Sequence, residues 1–213
     1  NLFYNRGTIA YLKEEYDVAI ENYMIAANYF EESNQHRNMS RSYLQLSVLY
    51  EKTGHLELAD YFGNLSLGYI KGSENHRIDS EEKNLVEALE GYLENTPVDD
   101  KLRSVLHYNL AKLYVKQEEF KKGVFHFQKS IKIKEEKGYK NLLVETKVRL
   151  AEAYFNTNTP EESIEVLNSI TLKNKRKQPL KIENLYTEAY KSLGNYEKAL
   201  LHNQRLAFLQ DSI

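Results

Sequence analysis

The chain has no cysteine and no tryptophan, only three proline and nine glycine among 213 residues. Without cysteine there is no thiol nucleophile, no disulfide and no thiolate metal ligand. The compartment is left open by that absence, since reducing and oxidising environments both accept such chains; a cytoplasmic location is the expectation, with the periplasm as the alternative. No apolar stretch approaches the roughly 20 residues that span a bilayer, so no membrane partner is expected. The opening NLFYNRGTIAYLKEEY already reads as helix and no initiating Met precedes it, so the expectation is a piece of a longer protein.

What is present is 41% hydrophobic and 28% charged residues, the balance of a chain that folds around a core. Seventeen Tyr and eight Phe stand in for the missing Trp. Tyr fills helix contacts while its hydroxyl reaches a wet edge, as suits a thin protein whose core lies near the surface. Net charge is −2, yet residues 1–106 carry 10 Lys/Arg against 18 Asp/Glu and residues 107–213 carry 19 against 13. The halves are therefore −8 and +6, an asymmetry that bears on partner steering and on self-association rather than on fold.

Sliding the chain against itself aligns five segments: RGTIAYLKEEYDVAIENYMIA, LSVLYEKTGHLELADYFGNLS, LAKLYVKQEEFKKGVFHFQKS, LAEAYFNTNTPEESIEVLNSI and YTEAYKSLGNYEKALLHNQRL. Each has two helical patterns separated by a short polar turn, so each is read as an antiparallel helical hairpin. The second pattern carries a small residue at Ala19, Ala59, Gly123, Ser163 and Ala199, spaced by 40, 64, 40 and 36. One hairpin cannot bury both of its apolar stripes, so the units stack. The reading is an all-α α-solenoid, with repeats over 1–34, 38–72, 98–138, 140–172 and 178–213. The 64-residue interval holds one extra helix, 80–95, in the segment 78–96, started at Ser80 with Lys83 in the place of the usual acidic partner and stopped by Pro97. It is expected to complete a degenerate hairpin, and residues 68–79 before it read as a loop or hinge.

These segments resemble tetratricopeptide repeats. The first unit supplies Gly7, Ala10, Glu14, Tyr16, Ala19, Tyr23 and Ala26 at the family's offsets; Gly54, Glu118, Asn158 and Gly194 take the turn position in the others. The resemblance implies a right-handed superhelix whose concave face is lined by the first helix of each hairpin. It places there Tyr4, Asn5 and Thr8, then Arg41, Gln45 and Val48, then Tyr108, Asn109, Lys112 and Lys116. The fourth and fifth repeats add Arg149, Glu152 and Asn156, and Lys181, Asn184 and Glu188. Asn109 and Asn184 are expected to clamp a peptide backbone, and Lys112 and Arg149 to hold a carboxylate. The dicarboxylate clamp of chaperone-binding repeats is not matched, because Tyr4, Thr8, Gln45, Val105 and Asn109 occupy its positions. The 40-residue spacing is similar to that of bacterial peptide-sensing regulators and of some animal polarity scaffolds.

Chemistry is sparse. His36, His55, His76, His107, His126 and His202 make no metal-ligand spacing, and no phosphate-cradling loop or nucleophile elbow occurs. No catalytic residue, metal or cofactor is therefore expected. The basic run KNKRK at 173–177 lacks interleaved aromatics and reads as a solvated loop rather than a nucleic-acid site. The expected function is a non-enzymatic protein- or peptide-binding scaffold, the sensing or interaction part of a larger bacterial signalling or regulatory protein. Two alternatives stand beside it: a structural or oligomerising role through the oppositely charged halves, and a regulatory domain inhibiting an attached kinase, response regulator or DNA-binding module.

Overall fold

A computed structural model of the chain describes residues 2–70, 79–140, 142–171, 174 and 178–211. Eleven helices and no strands are found among them. In order they are α1 Leu2–Leu12, α2 Tyr16–Glu32, α3 His36–Lys52, α4 Leu56–Ile70, α5 Asp79–Asn95, α6 Asp100–Lys116, α7 Phe120–Glu136, α8 Leu143–Asn156, α9 Pro160–Asn168, α10 Pro179–Ser192 and α11 Tyr196–Gln210. The chain is all-α, and its helices are joined into antiparallel hairpins. Helix α5 stands where the sequence placed an extra helix. Residues 71–78 of the expected hinge, the side chains of Ser80 and Lys83, and all of the basic run except Asn174 lie outside the described residues.

One turn recurs. A residue of left-handed backbone occurs at Glu14 (φ 62°), Asn34 (52°) and Gly54 (82°), then at Glu118 (61°), Gly138 (69°) and Asn158 (59°), and again at Gly194 (70°). Within each of the two triplets the step is 20 residues. At all seven the next amide reaches back across the turn, from Glu15 N–H to Ala10 C=O at 3.0 Å, Gln35 to Phe30 at 2.8 Å, and so on to Asn195 and Tyr190 at 2.9 Å. This is the Schellman closure, which satisfies the last carbonyls of a helix and reverses the chain in three residues. Helices α2, α3, α6 and α7 are each 17 residues long, so helix plus turn makes 20 and two of them make the 40-residue spacing. Only Gly, and less readily Asn or Asp, takes left-handed backbone at little cost, yet Glu holds it at positions 14 and 118.

The structure divides into two compact units, Asn1–Leu110 and Ala111–Ile213, with the division inside α6. In the first unit α2 is enclosed nearly all round: Ala19, Ile20, Tyr23, Met24, Ile25 and Ala26 are buried, and so are the polar Glu21, Asn22 and Asn28. On one side Gly7 of α1 meets the Tyr23 ring so closely that a Cβ would stand 2.9 Å from its Cδ1. On another the first part of α6 lies across it, with Lys101 Nζ 2.8 Å from Glu21 Oε1. Burial raises the Glu21 carboxyl above its ordinary value and Lys101 pulls it back. Helices α3, α4 and α5 meet through rings, Tyr50 stacking on Phe62 at 5.5 Å and taking Tyr92 edge-on at 5.5 Å. The Tyr-rich composition is thus spent on inter-helix contacts.

In the second unit the α8–α9 hairpin is covered by α10, whose Ile182, Leu185, Tyr186 and Ala189 join Val148, Ala151, Ile164, Leu167 and Ile170 in one core. The small position of every hairpin is buried as expected: Ala19, Ala59, Ser163 and Ala199 are core residues, and a Cβ on Gly123 would stand 2.7 Å from Val115 Cγ2. Lys134 of α7 is also buried, its Nζ donating to Thr146 Oγ1 at 3.0 Å while that hydroxyl donates to Leu142 C=O at 2.6 Å. Desolvation lowers the Lys134 pKa to about 7.

Two outcomes follow. Glu14→Gly and Glu118→Gly each remove left-handed strain and should raise stability by roughly 0.5–1 kcal/mol, part of the gain being lost to a freer unfolded chain; a urea midpoint unchanged in both would refute this. Unfolded Lys134 holds its proton up to roughly pH 10.4, whereas the folded group releases it near 7. The unfolded state therefore binds more protons between those values, and stability should rise with pH above 7. Comparing urea midpoints at pH 7 and pH 9, Lys134→Met should flatten that rise.

Candidate functional site

In the first unit, α1, the end of α2 and the start of α3 enclose a hollow of about 560 Å³ lined by Tyr4, Asn5, Phe30, Gln35, Asn38 and Arg41. The turn at Asn34 sets it up, because reversal in three residues brings the first turns of α3 back beside the end of α2. Phe30 forms a buried floor and packs with Ala26 and Met39. Tyr4 is half-buried, its ring edge-on to Tyr23 at 5.2 Å. Around the rim the amides are chained: Asn38 Nδ2 donates to Gln35 Oε1 at 2.9 Å and Gln35 Nε2 donates to Ser33 Oγ at 3.0 Å. Arg41, one helical turn beyond Asn38, is exposed and forms no ion pair among the described residues. An apolar floor, a rim of oriented amides and an unneutralised guanidinium suit a peptide carrying a carboxylate.

Of the positions expected on a concave face, Tyr4, Asn5 and Arg41 come together at this hollow. Thr8 turns the other way, donating to Tyr4 C=O at 3.1 Å and meeting Tyr23 OH at 3.0 Å. Gln45 and Val48 follow on α3, both half-buried. Tyr108 requires a correction: it is fully buried and so lines no open face. Asn109 is engaged within that unit, its Oδ1 accepting from Asn28 Nδ2 at 3.3 Å and its Nδ2 donating to Val105 C=O at 2.9 Å. Lys112 is half-buried and Lys116 exposed.

In the second unit Arg149 Nε lies 2.6 Å from Glu145 Oε1, and Glu145 also accepts from the Gln178 amide. Glu152 pairs with Lys181 at 3.1 Å, tying α8 to α10. Glu188 pairs with Lys191 at 2.8 Å along α10, while Asn184 and Asn156 are exposed. The cations and carboxylates expected to meet a ligand here largely meet one another. Gln35, Asn38 and Phe30 were not singled out in the sequence. Asn38 and Arg41 do share the i, i+3 spacing of one helix face, the one signal that could have found them.

Residues 105–137 match the family model for the tetratricopeptide repeat. The chain contains a tetratricopeptide repeat. The matched segment runs from within α6 through α7, and in its second-unit part the tetratricopeptide hairpin is held by Tyr114 stacked on His126 at 5.4 Å and by the close approach at Gly123. Among solved structures the chain is similar to the crystal structure of MamA protein, at 13% identity over 96% of this chain and 88% of that one, with a TM-score of 0.48. It is also similar to BtubC from P. vanneervenii, at 12% identity over 93% of this chain and 91% of that one, with a TM-score of 0.49. No curated protein matches it. Among the described residues no group of His, Asp or Glu could hold a metal ion, and no helix is long and apolar enough to cross a membrane.

Since the Asn109 amide bridges α6 to α2, Asn109→Ala should cost about 1 kcal/mol of stability by leaving the buried Asn28 short of a partner. Thermal unfolding at unchanged midpoint would show that the amide pair contributes nothing.

Proposed function

We propose that this chain is a non-enzymatic interaction module that holds a peptide segment in the hollow between α1 and α3. Tetratricopeptide repeats generally mediate protein–protein interaction or scaffolding, which is the coarse frame for the reading. The observation that carries the finer statement is Arg41: an exposed guanidinium over an aromatic floor, beside amides fixed by their own hydrogen bonds, with no described carboxylate to neutralise it. A peptide laid there would set an acidic side chain or its terminal carboxylate on Arg41 and an apolar side chain against Phe30 and Tyr4. The amides of Asn5 and Asn38 offer both donors and acceptors to a peptide backbone. On this reading the chain is the sensing or interaction part of a larger bacterial signalling or regulatory protein, acting by occupancy rather than by chemistry.

An array of synthetic peptides, acidic and neutral, supplies the probe. Calorimetry on an acidic peptide recovered from it should show Arg41→Ala weakening affinity tenfold or more, about 1.4 kcal/mol, with the unfolding midpoint unchanged because Arg41 is exposed. A bound peptide that keeps its affinity for Arg41→Ala would place recognition elsewhere.

A further inference from the structure

On α3 a second guanidinium accompanies Arg41. Arg37 stands one helical turn before it, and residues four apart share a helix face, their Cβ atoms about 5–6 Å from each other. Both are exposed, and neither side chain forms an ion pair or hydrogen bond among the described residues. Nothing on α3 lies where it could neutralise them: in HRNMSRSYLQLSVLYEK the only carboxylate is Glu51, ten residues beyond Arg41. Glu31 and Glu32, at the end of α2, pair with neither guanidinium. The arrangement works against the helix that carries it. Like charges four apart repel, and a cation in the first turn meets the positive end of the helix dipole, where acidic residues are the favourable choice. Helix α3 has no acidic residue in its first turn and no side chain caps it. The same helix start borders the hollow of about 560 Å³, which Asn38 and Arg41 line.

We infer that the acidic group received here is a phosphorylated side chain of the bound peptide. The inference rests on the reading of the hollow as a peptide site and names the class of peptide it takes. A single carboxylate would answer Arg41 and leave Arg37 unmatched. A phosphate monoester carries about 1.5 to 2 negative charges at pH 7 and three acceptor oxygens, enough to engage both guanidinia at once, and guanidinium–phosphate hydrogen bonds are among the strong charge-assisted ones. Seated at the mouth of the hollow, it would relieve the repulsion between Arg37 and Arg41 and lie at the favourable end of α3, while neighbouring residues of the peptide reach Phe30 and Tyr4. Two carboxylates could supply the same charge only from separate residues, and adjacent side chains of an extended segment point to opposite sides. The unit around the hollow has a net charge of −8, so long-range attraction does not draw an anionic peptide in. Recognition falls to these two residues.

The peptide array tests this when each member is made in three versions, with phosphoserine, Glu or Ser at one position, and the binders are measured by calorimetry. The phosphoserine version should bind about tenfold tighter than the Glu version, or more. Arg37→Ala should abolish that advantage and leave the Glu version unchanged, whereas Arg41→Ala should weaken both. Lys13→Ala, which removes an exposed cation outside the hollow, should alter neither. Because all three positions are exposed, no variant should unfold at a lower midpoint. Equal affinity for the Glu and phosphoserine versions, or a phosphoserine advantage that survives Arg37→Ala, would overturn the inference and leave the hollow a peptide site. Absence of binding by every version, or binding indifferent to Arg41→Ala, would overturn the underlying reading with it.

Discussion

The fold depends on how a 17-residue helix is closed. A helix leaves its last carbonyls unsatisfied, and at seven turns here the amide after the left-handed residue reaches back to satisfy one of them. Because the closure takes three residues, the helices it joins are forced antiparallel and side by side, and within each of the two triplets, 14 to 54 and 118 to 158, it returns every 20 residues. Everything above this level inherits that metre: the 40-residue hairpin, the small residues at each crossing, and the hollow beneath Arg41, which exists because the turn at Asn34 folds the chain back sharply.

Within this regular frame the two units spend their polar groups differently. In the first, Glu21, Asn22 and Asn28 lie inside, and Glu21 and Asn28 are met by Lys101 and Asn109 from α6. Buried polar groups cost stability unless paired and, once paired, admit few alternative arrangements, so they specify how α6 crosses α2. In the second, Arg149 pairs with the buried Glu145 along α8 itself, and only the partly exposed Glu152–Lys181 pair of these two joins α8 to α10, beside an apolar core. In the first unit Arg41 has no internal carboxylate, whereas the cations of the second are largely taken.

The legible part of the candidate site was its helix and its spacing. Positions 4, 5 and 41 could be set on one kind of face by counting along repeats, and they do converge. Tyr108 sits at an equivalent count and is buried, while Lys101 and Asn109 of the same helix reach Glu21 and Asn28 of α2, an arrangement no repeat count contains. Asn38 and Gln35 belong to the site because the turn at Asn34 aims them, and in the sequence they are ordinary polar residues near a helix start. Arg149 and Glu152 have the chemistry of ligand contacts, but partners 4 and 29 residues away use it up.

By itself the sequence determined the helices, the turn positions at Glu14, Gly54, Glu118, Asn158 and Gly194, and the small residues where helices cross, because these obey local rules: a helix has a period, a left-handed turn a preferred residue, a close crossing a volume limit. Tertiary structure alone decided which polar side chains pair inside, how α6 meets α2, and that Arg41 forms no ion pair among the described residues while Arg149 is held by Glu145. Those outcomes depend on distances between residues far apart in the chain, such as Asn28 and Asn109 or Glu21 and Lys101, and such distances are set only when the helices pack.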